Sequence, residues 1–138
     1  MRNNADLTIY NKYVDAATRT EKYHRSQIRG VLWENRKAAN VIASGGNIAA
    51  NQANIYVPFQ RGVEYLPYTE WAALTTKTGY WTFQDGDVVV RGLVEDTISA
   101  SFTISDLKAK YPDVLIIRSV DTMDMGSYGM CHWQIGAS

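Results

Sequence analysis

The sequence predicts a small, mainly β fold: a barrel or sandwich of six to eight short strands with one or two short helices. Three observations predict it. Short runs rich in Val, Ile, Thr and aromatic residues recur at fairly regular spacing, with turn signals between them. Aromatics make up 12% of the chain, with nine Tyr and four Trp, and these residue types favour strands and contact surfaces. Strands do not alternate with long helical patterns, as βαβ units would require, and no longer repeat recurs. At 138 residues the chain suits one domain, 1–138, able to bury a core without disulfides or metals.

The elements follow in order. Leu7, Thr8, Ile9 and Tyr10 open a first strand that continues to Tyr13, and Asp15 to Thr18 read as a turn. Tyr23 to Trp33 form a longer extended segment whose two faces are both mixed, which suits an edge or a subunit contact. Residues 38–54 are small, polar and uncharged around Gly45 and Gly46, and predict a long mobile loop. Ile55, Tyr56 and Val57 are a strand ended by Pro58. Thr69 stands where a cap would precede a short helix carrying Trp71 and Leu74 on one face. Tyr80 to Phe83 and Asp87 to Val94 read as a hairpin turned at Asp85-Gly86. A short strand is expected over residues 102–104, then a cap at Ser105 and a helix ended by Tyr111 before Pro112. The apolar runs 114–120 and 128–135 complete the sheet.

Fourteen basic and fourteen acidic residues cancel, so nothing in the net charge favours tight nucleic-acid binding by counterion release. The single Cys131 cannot form an internal disulfide, which favours folding in a cytoplasm. The chain shows neither a signal-peptide pattern nor an apolar run of membrane-spanning length, so no membrane is expected. No catalytic constellation is apparent. His24 and His132 are far apart in sequence, and Cys131 and His132 are strand neighbours that point to opposite faces. Asp113, Asp121 and Asp124 lack the spacing of a calcium loop, and Ser44-Gly45-Gly46-Asn47 lacks the Lys-Ser/Thr of a phosphate loop. No metal, no cofactor and no enzymatic activity are expected.

Four stretches carry a resemblance: LTIYNKYVDAATRTEKYHRSQIRGVLWENRK, NIYVPF, WTFQDGDVVVRGLV and the ending SVDTMDMGSYGMCHWQIGAS. The matching positions are Tyr23, Arg25, Ile28, Gly30, Val31, Trp33, Ile55, Val57 and Pro58, then Val120, Asp121, Asp124, Gly126, Ser127, Met130, His132 and Trp133. Together they resemble the small minor structural proteins of long-tailed bacteriophages and prophages, and are similar to head-closure, or stopper, proteins of the neck.

That resemblance implies a virion protein made in the bacterial cytoplasm, a β-barrel subunit that forms a ring with itself. A portal-adaptor protein would lie above the ring and a tail terminator or tail tube below. Packaged DNA would be touched only in passing. The channel segment would be Ala43, Ser44, Gly45, Gly46, Asn47, Ile48, Ala49, Ala50, Asn51, Gln52 and Asn54. Tyr65, Tyr68 and Tyr80 are the candidate ring anchors, with Trp71 and Trp81 read as core. Rival readings are a tail-completion or capsid-decoration protein, or an oligonucleotide- or sugar-binding barrel.

Overall fold

A computed structural model of the protein describes residues 4–15, 17–42, 46–59, 65–77, 79–111, 113–124, 126 and 130–138, with backbone alone over 35–42 and 46–51. Six strands carry the architecture: β1 (Ala5–Val14), β2 (Glu21–Ile42), β3 (Gly46–Pro58), β4 (Val88–Arg91), β5 (Val114–Met123) and β6 (His132–Ala137). Two short helices, α1 (Tyr68–Ala72) and α2 (Ile104–Lys110), flank β4 in sequence. All pairings are antiparallel, and the order β1-β2-β3-β6-β5-β4 closes into a barrel through β4 against β1. The expected mainly β class is the observed one.

Side-chain alternation explains the core. Leu7 and Ile9 of β1 and Val89 of β4 point into the barrel, where they meet Ile28, Trp33, Ile55, Val57, Ile117, Trp133 and Ile135. Tyr10, Val88 and Val90 sit on the opposite face of the same two strands and build a second core with Val94 and Leu107. Leu107 comes from α2, which therefore covers the outside of the β1–β4 wall. The cap of α2 is Thr103, not Ser105. Its hydroxyl accepts from the Asp106 amide, and the Asp106 carboxylate accepts from the Thr103 amide at 2.9 Å, a reciprocal capping box. Helix α1 starts at Tyr68, one residue before the expected cap at Thr69, and has no side-chain cap.

The expected loop over residues 38–54 is replaced by two paired strands. From Leu32↔Tyr56 to Ile42↔Gly46, β2 and β3 pair residue by residue without a register shift. Residues 43–45 between them lie outside the described residues. Ala, Asn and Gly have weak strand preference, so composition pointed to a loop. The ladder instead continues from the Trp33↔Ile55 and Leu32↔Tyr56 pairs, which are fixed where the barrel begins.

A second correction concerns residues 80–83, expected to form a hairpin with the 87–94 run. Their only ladder contact among the described residues is a bridge from Trp81 to Tyr65. The side chain of Asn11 supplies what a neighbouring strand would have given. Its Nδ2 donates to the Thr82 carbonyl at 2.6 Å, and its Oδ1 accepts from the Thr82 amide at 3.3 Å. The turn itself is present, with Gly86 at φ 91°. The strand expected at 102–104 reduces to one bridge, Ser99↔Phe102.

A bulge steers β2. Ala5 pairs with Val31 but Leu7 pairs with Ile28, so Arg29 and Gly30 together oppose Asp6. Gly30 adopts φ 77°, a conformation that a side chain opposes, and its amide donates to Asp6 Oδ1 at 3.1 Å. Before the bulge β2 pairs with β1, and after it with β3. Asn4 completes the handover: its Oδ1 accepts from the Trp33 amide at 2.8 Å and its Nδ2 donates to the Trp33 carbonyl at 3.1 Å. Gly30→Ala should therefore cost about 1–2 kcal/mol in urea unfolding, the usual penalty for a side chain in the left-handed region. Gly30→Asn should cost less, because Asn tolerates that region; equal stability of all three chains would contradict the bulge.

Candidate functional site: the two-stranded arm and its base

The ladder divides β2 and β3 into a rooted half and a projecting half. β3 pairs with β6 only from Ala53 to Pro58, and β1 pairs with β2 only as far as Val31. Among the described residues, Arg36–Ile42 and Gly46–Gln52 therefore have only each other as strand partners. The seven paired residues of each strand reach roughly 23 Å at the usual rise per residue. An isolated two-stranded ribbon is marginal in water, so the arm relies on its root.

That root is apolar and enclosed. Trp33, Ala53, Ile55 and Val57 are all buried, alternating along their strands with half-buried or exposed positions. Beneath them lies an aromatic stack contributed by distant segments. Phe59 and Tyr65 lie 4.2 and 4.5 Å from the Trp133 ring, and Trp81 and Phe83 lie 5.7 and 5.6 Å from it. At the far end of β1, Trp71 is fully buried, with Tyr13 edge-on at 5.7 Å and its indole N–H donating to the Tyr80 carbonyl at 3.1 Å.

The sequence-predicted site residues separate accordingly. Ala43, Ser44 and Gly45 lie outside the described residues. Gly46, Asn47, Ile48, Ala49, Ala50 and Asn51 form the outer part of β3, Gln52 is exposed beside them, and half-buried Asn54 belongs to the root. Tyr65 is half-buried and packs inward on Trp81, Phe83 and Trp133. Tyr68 is half-buried with its ring 6.2 Å from Trp71. Tyr80, 41% exposed, is the one of the three anchors with a free outward surface. Trp71 and Trp81 are core, as expected.

Sequence reasoning missed a buried polar node. The Asp87 carboxylate is buried, accepting from the Lys12 amide at 2.9 Å and from Asn11 Nδ2 at 2.8 Å. Through Asn11 it also holds Thr82, and its carbonyl accepts from Ile117 at 2.8 Å. One residue thus ties β1, the 82–87 segment and β5 together. The only sequence signal was a carboxylate after a turn glycine, which reads as ordinary turn chemistry. Burial raises the Asp87 pKa from its ordinary 3.8 to about 6, against the opposing pull of these donors.

The pH dependence has a definite sign. A raised carboxylate pKa makes the folded chain bind its proton more tightly than the unfolded chain, so this stability is complete below pH 3.8 and is lost as pH rises through about 6. The loss amounts to about 3 kcal/mol at roughly 1.4 kcal/mol per unit. His24 contributes with the opposite sign just below 6.5, because burial and then Lys77 and Arg25 lower its pKa. The difference between wild-type and Asp87→Asn unfolding profiles isolates Asp87. That difference should change between pH 4 and 6.5 and be flat above; a pH-independent difference would remove the buried ionisable role.

Among the described residues no group of three or more His, Cys, Asp or Glu side chains gathers as metal ligands do, and no helix is long and apolar enough to cross a membrane. His24 and His132 lie on different strands, and Cys131, expected to be a strand neighbour of His132, is buried just before β6, which half-buried His132 opens.

No curated protein and no solved structure matches the chain. A family model matches residues 2–138, nearly the whole sequence. The chain belongs to the family of unknown function DUF6751.

Proposed function

We propose that this protein is a non-enzymatic structural subunit of a tailed-phage neck, a head-closure ring component between the portal adaptor and the tail. The observation that carries the reading is the arm: a paired, projecting ribbon on a closed barrel. It suits a part that must reach into a shared channel while its body holds a place in a ring. Beyond Arg36 and Lys37 at its base, the arm is uncharged, and residues 38–54 contain no charged side chain. An element that touches packaged DNA must not grip it, and a segment without Lys or Arg makes no strong phosphate contacts. The net charge of zero fits the same requirement for the whole subunit.

Ring closure needs two different patches on each subunit, one complementary to the other. Tyr80 and the outer edges of the arm strands are available for such contacts. Because Gly46 pairs with Ile42, the channel element would swing as a paired unit about its root, with Gly46 in the ladder instead of serving as a hinge of a loose loop.

A nonsense mutation in the gene, followed by electron microscopy of the lysate, tests the reading. The expected result is empty or DNA-leaking heads beside separate, finished tails. Normal virions would move the protein out of the neck, and intact full heads with defective tails would favour tail completion. The uncharged outer part of the arm gives a finer prediction. Asn47→Lys with Asn51→Lys places two cations on one face of β3 and should slow genome ejection, with the delay relieved by salt. Ejection at the wild-type rate would separate the arm from the DNA path.

A further inference from the structure

The β5–β6 connection brings two thioethers and an imidazole to one surface. Met123, the last residue of β5, pairs directly with His132, the first residue of β6. Directly opposed residues of an antiparallel pair project from the same face of the sheet, so the Met123 and His132 side chains are neighbours. Met130 precedes His132 by two residues, and the His132 Nδ1 lies 3.1 Å from the Met130 carbonyl oxygen. A carbonyl only accepts, so Nδ1 carries the proton and donates. The Nε2 lone pair then points away from that bond, the arrangement in which histidines bind metals while a carbonyl fixes the ring. The Tyr56 ring, 5.7 Å away and tilted, supports the imidazole from β3.

The methionines are unusual in their exposure. Met123 is 40% and Met130 67% exposed, and among the described residues the other large exposed apolar side chains are Val14 and Tyr80. Scattered exposed apolar side chains need no explanation. One thioether cross-strand from an oriented imidazole, and a second on an exposed side chain two residues before it, form a chemically defined set. Carboxylates would draw harder cations, whereas thioether sulfur with imidazole selects soft ones.

We propose that Met123, Met130 and His132 form a surface site for a soft monovalent cation of the Cu(I) class. The two sulfurs and Nε2 supply three ligands from the ends of two paired strands. The flexible thioether arms close on the ion, and the hydrogen-bonded histidine provides the fixed corner. The site requires no redox step, since the ion binds in its reduced state.

The test titrates the full chain with Ag(I), a redox-inert probe, in chloride-free buffer, and with Cu(I) under anaerobic conditions, by calorimetry. One ion should bind per chain, and His132→Ala or the pair Met123→Leu with Met130→Leu should weaken binding at least tenfold. Leucine keeps the size of methionine, and far-UV circular dichroism verifies that each variant is folded. Cys131→Ala should retain binding, and the copper X-ray absorption edge should report sulfur with one imidazole nitrogen. Absence of binding, binding unchanged by the methionine and histidine substitutions, or binding lost with Cys131→Ala would each overturn the site.

Discussion

The structure depends on two strands that are buried on both faces. Leu7 to Asn11 of β1 are all buried, as are Val88, Val89 and Val90 of β4. In a barrel with a bare outer wall only alternate residues would be covered. Here Leu7, Ile9 and Val89 serve the interior, and Tyr10, Val88 and Val90 serve a second core beneath α2. The hydroxyl of Tyr10 reaches the Asp96 carbonyl at 2.6 Å, and Tyr111 reaches the Asp96 carboxylate at 2.6 Å, so the outer core is pinned at its polar rim. A wall filled from both sides resists bending, and it is the rigid side against which the rest of the barrel is held.

Burying that wall also buries its polar residues, and each is matched. The Thr8 hydroxyl donates to the Gly92 carbonyl at 2.7 Å and accepts from the Val94 amide at 2.8 Å. Asn11 and Asp87 join the wall to Thr82, Lys12 and Ile117. These bonds add little net energy beyond what water would have given, but leaving any one unmade in the interior is expensive. They therefore specify where the 80–87 segment lies, which the apolar contacts alone would leave loosely defined. That segment delivers Trp81 and Phe83 to the aromatic stack around Trp133.

On the opposite side the barrel opens into the arm. The bulge at Gly30 and the amide of Asn4 release β2 from β1, and β3 takes it over. The protein thus combines a body ordered by two cores with an extension in which β2 and β3 pair with each other, uncharged beyond Lys37.

Sequence by itself determined the β class, the strand cores, the turn at Gly86, the approximate reach of α2 and the burial of Trp71 and Trp81, because these follow from local patterns of period two, turn chemistry and side-chain size. The resemblance motif included Gly30 and Trp33, although what they do there was not legible. Other features depend on residues brought together from far apart in the chain. The arm is strand because its root is templated across β2 and β3, although its own residues favour a loop. Residues 80–83 form no hairpin because Asn11, 71 positions away, satisfies Thr82. Asp87 is a buried tie because two layers close over it, and Met123 meets His132 only through the β5–β6 register. Local sequence sets what each segment prefers; long-range pairing and burial decide which preference is kept, since backbone groups must find partners wherever the fold removes water.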